Sequence, residues 1–590
     1  MKKTAIAIAV TLIGLNAHAV RTTTEGGTEI DFSSTISLGV QVRLGKPLRD
    51  TIGNDNGGNV PTGALLGAQL NGPGGEGAAN PDFNFLNGDD GNLNYKRGDI
   101  TSLALKGTHE FGLKTTDGWR ALARGTWVGD AKAGHTQRTD LSSEAKRIAV
   151  RNFTMLDAWV SKDFKVFDQR NATLRVGNQV LSWGEDIFII GGINSINAFD
   201  LRKLHTPGTQ VKEILRPAPI ASINLGLTDS LSAEAYYQWK WNAFRFDPVG
   251  TFFSGADVVG AGQRPAFIPS SVIASLGPLG VPPCAPPCGD IGSGIQEGFN
   301  VVPFEADRLP PKGKQFGLSM RFKPKGADTE YALYFERYHD KLPFTTLFTD
   351  PTLATRNVAT IGYYNEYGKD KNLFGASFNT KAGPVAVGGE ISYRPRDSVA
   401  IDGSVPATGP YSIFEPTRAD ANGRITVRGY TEEKKIQAHL TALYFTEVNS
   451  PAGALVKALG AAEGTLLAEV AVTRYPSLKI GTVPYLIFPS YANPTKTSWG
   501  YAFEFDLSYP RVWSSDWNLT QVTVFTHDVA GISPNTLPFV KGRKSLFLGL
   551  NFDNSSVWKM QFGYAAFFGG GLSNIIRDRD NFSASLSYSF

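Results

Sequence analysis

The last ten residues, Asn581 to Phe590, read NFSASLSYSF. Phe582, Ala584, Leu586, Tyr588 and Phe590 alternate with Asn581, Ser583, Ser585, Ser587 and Ser589. Strand side chains point to opposite faces with a period of two. One face of this segment is therefore apolar and aromatic, and the other is polar. A soluble edge strand tolerates such a pattern. A free terminal strand ending in Phe is also what closes a bacterial outer-membrane barrel. The N-terminus agrees: Lys2 and Lys3 precede an apolar run from Ala5 to Leu15 and the small-x-small site Ala17-His18-Ala19. This reads as a secretory signal peptide over residues 1–19, leaving a mature chain of residues 20–590. No later run of about eighteen apolar residues offers a helical span. For an exported membrane protein without such spans, a closed barrel remains, because hydrocarbon cannot satisfy an open strand edge.

The alternation recurs along the chain. Leu231, Ala233, Ala235, Tyr237, Trp239 and Trp241 oppose Ser232, Glu234, Gln238 and Lys240. Trp499, Tyr501, Phe503, Phe505, Leu507 and Tyr509 oppose Glu504 and Asp506. Trp and Tyr near the ends of the apolar faces suit the aromatic girdles of a bilayer-spanning barrel better than a soluble sandwich. Strands are expected at 35–44, 97–111, 119–129, 151–165, 172–180, 217–227, 231–246, 313–323, 330–339, 371–380, 385–395, 433–446, 464–474, 498–509, 517–526, 544–552, 557–568 and 581–590. That is an all-β, transmembrane antiparallel barrel of eighteen strands, with sixteen as the alternative count; single-chain bacterial barrels have even numbers. Short connections such as 114–118, 228–230, 324–329 and 381–384 fall on one side, the periplasmic one. Long ones such as 45–96, 181–216 and 247–312 fall on the extracellular side, and both termini are periplasmic. The connection 448–462, rich in Ala and Leu, is expected to hold a short helix.

Composition narrows the function. Charged residues make up 19% and the net charge is +4, too small to argue for nucleic acid. The two cysteines, Cys284 and Cys288, sit in VPPCAPPCGD and are expected to pair in the oxidising periplasm or outside it. Chain entropy gives so small a loop about 2 kcal/mol at best. No metal site and no cofactor are expected. NGDDGNLNYKRGD (87–99) gathers Asp89, Asp90 and Asp99 but lacks the ligand spacing of a helix-loop-helix calcium site. There is neither a G-x-S-x-G elbow nor H-E-x-x-H. His339, His439 and His527 lie in or beside strands, where histidine is usually structural, and no enzyme is expected.

The candidate solute path starts at Leu181 to Arg216, LSWGEDIFIIGGINSINAFDLRKLHTPGTQVKEILR. Trp183 and Glu185 lead into the apolar run Ile187, Phe188, Ile189 and Ile190, and Arg202 follows. Such a run has little reason to face water. It either packs against other loops as a cap or enters the barrel as a constriction. Glu390, Arg394, His439, Glu504 and Asp506 belong to the polar half of their strands and are expected to line the lumen. They either form a ladder of ion pairs or set selectivity along a solute path.

Several stretches carry a resemblance: NGDDGNLNYKRGD, VGNQVLSWGEDIFIIGGINSINAFD, PGTQVKE, FDPVGTFFS, ERYHDKLP, GGEISYRP, THDVAGISP, FVKGRKSL and GGGLSNIIRDRDNFSASLSYSF. By these the chain resembles a family of Gram-negative outer-membrane β-barrels known only as a domain of unknown function. The resemblance implies an outer-membrane location. It also implies a gene neighbourhood with a periplasmic lipoprotein-like family and resistance-nodulation-division exporters, hence a periplasmic partner. It implies pathways for steroids, aromatics and other apolar compounds, but supplies no catalytic residues. The chain is distantly similar to long-chain fatty-acid transporters, without their signature near residue 20. The reading is a passive outer-membrane channel for hydrophobic or amphipathic small molecules of fatty-acid, steroid or aromatic type. The alternatives are a plugged structural or adhesive barrel and a component of an envelope lipid export system. Expected partners are outer-membrane lipid, the apolar substrate and the periplasmic protein.

Overall fold

The structure is a computed structural model, and it describes residues 20–61, 81–167, 169–270, 301–349, 361–404, 409–413, 415–447, 450, 452–489, 493–554 and 557–590. Eighteen strands close into one antiparallel barrel. They are β1 (Glu29–Arg43), β2 (Ile100–Lys114), β3 (Trp119–Asp130), β4 (Arg151–Val166), β5 (Arg170–Gln179), β6 (Ala218–Gly226), β7 (Leu231–Gln238), β8 (Gln315–Phe322) and β9 (Glu330–Tyr338). The second half is β10 (Lys371–Ala382), β11 (Val385–Ala400), β12 (Tyr430–Glu447), β13 (Glu463–Arg474), β14 (Thr497–Tyr509), β15 (Trp517–Ala530), β16 (Lys544–Asn554), β17 (Trp558–Phe568) and β18 (Asn581–Ser589). Each strand pairs with its neighbours in sequence, and the terminal alternating segment pairs with the first strand, Ile36 opposite Tyr588 and Leu38 opposite Leu586. No strand edge is left open, as hydrocarbon requires.

The two faces follow the alternation. Leu38, Leu318, Leu333, Leu440 and Leu548 are each more than two-fifths exposed, on the outer face. Ser37, Lys106, Glu390, Arg394, Gln437 and Glu469 are buried, on the inner one. A closed barrel with an apolar exterior and polar interior is a membrane-spanning barrel, and this one belongs to the bacterial outer membrane. The 448–462 connection holds the expected helix, Gly453–Ala458. Cys284 and Cys288, and the signal segment 1–19, lie outside the described residues.

The strand expected over 231–246 stops at Gln238. Its neighbours run out: Pro217 and Pro219 lack amide hydrogens at the start of β6, and the last ladder-like bond runs from Trp239 N to Pro219 O at 3.2 Å. Beyond it Trp241 packs on Tyr367 and Phe244 on Phe199, with ring centroids 4.6 and 5.4 Å apart. Extracellular connections build a cap. One apolar cluster joins Val399, Ile401, Ile413, Val427, Tyr475, Leu478, Val483 and Tyr485. Arg43 (0% exposed) ties the cap to the closing seam by donating to Gly45 O, Tyr95 O and Asp578 O.

Leu586 faces lipid at the middle of the closing strand. Leu586→Arg should therefore lower unfolding free energy in phospholipid vesicles by about 2–4 kcal/mol, and Leu586→Phe should leave it nearly unchanged. Urea unfolding checks this; equal midpoints for the two variants would contradict the assigned facing.

Candidate functional site

The segment between β5 and β6 turns inward and occupies the lumen. At its entry Trp183 (1% exposed) packs on Tyr236 and Tyr334, with centroids 5.1 and 5.7 Å away, and donates through Nε1 to Glu234 Oε2 at 2.8 Å. Leu181, Ile193 and Ile196 join these rings in an apolar cluster against β6, β7, β9 and β10. The lumen wall here carries aromatic rings among its polar side chains, and the segment's apolar residues fill the space beside them.

Residues 185–193 then cross to the opposite wall. A backbone in this irregular conformation cannot satisfy its own polar groups, and burying them unpaired would cost about 1–3 kcal/mol each. The wall supplies the partners. Glu469 of β13 accepts from the backbone N–H of Ile187, Phe188 and Ile189 through Oε2, at 3.3, 2.5 and 3.0 Å. Glu390 of β11 accepts from Glu185 N at 2.6 Å and Ile193 N at 2.8 Å. Arg394, one strand turn further, donates to the carbonyls of Gly191 and Gly192 at 2.9 and 2.5 Å. The Gln437 amide donates to Ile190 O at 2.9 Å and to His439 Nε2 at 2.8 Å. That leaves His439 Nδ1 as the donor to Glu469 Oε1, 2.6 Å away, which orients the carboxylate toward the three amides. Gly184 has φ +90°, and a Cβ there would lie 2.3 Å from Glu390 Oε2, so only glycine fits the turn.

The segment returns through Ala198–Phe199, paired with Leu215–Arg216, and a short helix at Leu201–Leu204. Its last part reaches the β1–β3 wall, where Lys106 meets Glu213 at 2.9 Å. Gly39 permits the approach: a Cβ there would sit 2.7 Å from Pro207 Cβ.

The expected path residues thus divide. Trp183, Glu185, Ile187, Phe188, Ile189, Ile190, Glu390, Arg394 and His439 meet at one crossing point. Arg202 lies at the other end of the segment, beside β2 and β3. Glu504 and Asp506 stand on the lumen face of β14, and among the described residues no hydrogen bond joins them to the segment. Of the two placements open in sequence, cap or constriction, the segment adopts the second. Arg394, expected to line the lumen, anchors the segment there, donating to the segment's carbonyls, Ser392 Oγ and Tyr338 Oη. His439 bonds to Gln437 and Glu469. Among the described residues Ser34 and His109 make a serine–histidine contact at 2.8 Å, and Trp127 donates to the other ring nitrogen at 3.0 Å. His109 therefore gives its hydrogen to Ser34 and cannot act as its base.

On the extracellular side of the crossing is a vestibule of about 150 Å³, partly open to solvent. Ile190, Phe199, Phe244, Tyr338, Leu342, Phe344, Tyr475, Leu537 and Pro538 give it apolar and aromatic walls. Asp186, Asp340, Lys341, Arg394, Asp397 and Lys435 give it charge. Lys435 is 7% exposed, its ammonium 5.8 Å from the Tyr475 ring, and it makes no hydrogen bond among the described residues. Alternation marks Lys435 and Glu469 as inward, but nothing local marks the height at which they meet the segment. Outside the barrel the carboxylates of Asp89, Asp90 and Asp257 lie within 4.8 Å of one another, all buried. Asp99, expected beside them, instead accepts from Lys96 N.

Two outcomes test this geometry. Glu469→Gln removes the charge that three amides share, and exchange of the Ile187–Ile189 amides should quicken about tenfold or more, as hydrogen-exchange mass spectrometry reads it. Unchanged exchange would mean these bonds do not hold the segment. Burial raises the Asp340 carboxyl to about 6 and lowers the Lys341 ammonium to about 8. Raising pH from 5 to 7 adds a negative charge at Asp340, and from 7 to 9 removes a positive one at Lys341. Cation preference, read from reversal potentials in planar bilayers, should therefore grow across this range. Asp340→Asn should remove the lower step and Lys341→Met the upper.

A search of curated proteins found no match. Among solved structures, Pseudomonas aeruginosa OpdK with vanillate is 8% identical, with 95% of this chain and 98% of that one covered and a TM-score of 0.39. Acinetobacter baumannii OccAB1 is 9% identical over 95% and 96%, with a TM-score of 0.41. Pseudomonas aeruginosa OccK2 (OpdF) in complex with glucuronate is 7% identical over 95% and 98%, with a TM-score of 0.38. Residues 1–590 match the family described as "Protein of unknown function (DUF1302)", and the chain belongs to that family.

Proposed function

We propose that this barrel is a passive outer-membrane channel for hydrophobic or amphipathic small molecules, of fatty-acid, steroid or aromatic type, and that residues 181–216 are its gate. The observation that carries the reading is the crossing itself. A segment of apolar side chains is held in the lumen by side-chain-to-backbone hydrogen bonds. Such bonds are few, localised and exchangeable with water, so the segment can shift without breaking the barrel ladder. Above it, aromatic walls suit an apolar body, and Lys435 suits an acidic head. Outer-membrane lipid surrounds the barrel, and a periplasmic protein would take the solute onward.

A second reading, a plugged structural or adhesive barrel or a part of an envelope lipid export system, draws on the same anchoring and on the packed extracellular cap. Permeation in liposomes holding the purified barrel separates them. Entry of a fatty acid, a steroid or an aromatic acid above empty vesicles, with little entry of a small sugar, is the expected result. Ile189→Asp should abolish it; normal uptake by that variant would sink the gate. Free sugar entry would mean a general pore, and no entry of any solute would favour the plugged reading.

A further inference from the structure

A second cavity lies where the far arm of the inserted segment meets the wall, lined among others by Lys106, Thr126, Arg202, Lys203, Thr209 and Glu213. It has room for about one water-sized particle. Its chemistry is unbalanced. Lys203 is 4% exposed and Arg202 8% exposed, and among the described residues neither side chain makes a hydrogen bond or ion pair. Lys203 Nζ, Arg202 Nε and Thr209 Oγ1 are all buried without a partner among the described residues.

The acidic neighbours are already engaged. Glu213 accepts from Lys106 at 2.9 and 3.1 Å, from Thr108 at 3.2 Å and from Thr126 at 3.3 Å. Asp200 takes Arg245 at 2.8 Å and caps its helix at Lys203 N. Asp130 accepts from Ser102, Leu103, Lys132 and Ala133. Asn152 Oδ1 accepts from Thr154 at 2.8 Å. The cavity therefore holds two unpaired cations, with its carboxylates engaged and only hydroxyl oxygens left to accept.

A water molecule would leave the charge of Lys203 and Arg202 uncompensated. A small anion brings only acceptor capacity, and it neutralises charge whose burial is otherwise expensive. We propose that this cavity binds a monatomic anion of chloride size. The anion clamps residues 201–213 onto β2–β4, so the far arm of the segment is held by an ion while the near arm is held by wall side chains. The assignment does not depend on the channel reading, because nothing in its test involves permeation.

The test uses the full barrel in detergent. Thermal unfolding is followed in sodium chloride, bromide, acetate and gluconate at equal ionic strength, and crystals grown in bromide are searched for anomalous density in the cavity. The expected result is a melting temperature that rises with chloride and bromide but not with gluconate, which is too large. Bromide density should lie beside Lys203. Lys203→Met should abolish the halide shift. If that variant fails to assemble, Thr209→Val, which keeps the charge, should weaken halide binding about tenfold. Equal melting in chloride and gluconate, a halide shift that survives Lys203→Met, or a cavity without bromide would overturn the proposal. Stronger stabilisation by acetate than by chloride would assign the site to a carboxylate head and overturn the halide.

Discussion

Every backbone N–H and C=O at membrane depth needs a partner from the protein or from luminal water. The barrel meets this demand by closure: β1 pairs with both β2 and β18, and the ladder has no free edge. The inserted segment meets the same demand differently. Its irregular backbone has no ladder, so wall side chains stand in for one, with Glu390 and Glu469 accepting from its amides and Arg394 and Gln437 donating to its carbonyls. Without those four side chains the lumen would be a costly place for this stretch of chain.

The same bonds explain why the lumen charges are arranged as they are. A simple ladder of ion pairs does occur on the wall, where Arg124 bridges Glu110 and Asp157 at 3.0 and 2.7 Å. At the crossing the pattern differs, because Glu469 spends its charge on amides and a histidine, and Arg394 donates to two carbonyls and two hydroxyls. Charges consumed in this way position the segment and leave little field for a passing solute. Among the described residues, the cations without a hydrogen-bond partner include Lys435 in the vestibule, and Arg202 with Lys203 beneath the far arm.

Much of the fold is legible in residues that sit next to each other. Strand faces are set by period-two alternation, and a one-residue slip would put Leu38, Leu440 and Leu548 into the lumen and Lys106 or Glu469 into lipid. That penalty makes strand number, facing and hairpin order readable. The overextended strand past Gln238 marks the limit, since its alternation continues while the proline-bearing neighbour stops offering amide hydrogens. The site is legible only in part. Trp183 and the Ile187–Ile190 run stand out because a water-exposed loop has no use for them, and Glu390, Arg394 and His439 stand out as inward charges. Glu504 and Asp506 share that inward signature yet lie away from the crossing.

The sequence by itself pointed to an all-β membrane barrel of eighteen strands, with sixteen as the alternative count, because bilayer thickness and the demand for backbone partners act on local patterns. Only the tertiary structure decided that residues 181–216 turn into the lumen, that Arg394 is an anchor, and that Lys203 is left unpaired. Those outcomes depend on contacts such as Ile187 with Glu469, 282 residues apart. Alternation says which way a side chain points, whereas barrel closure and strand stagger set which heights on distant strands come together.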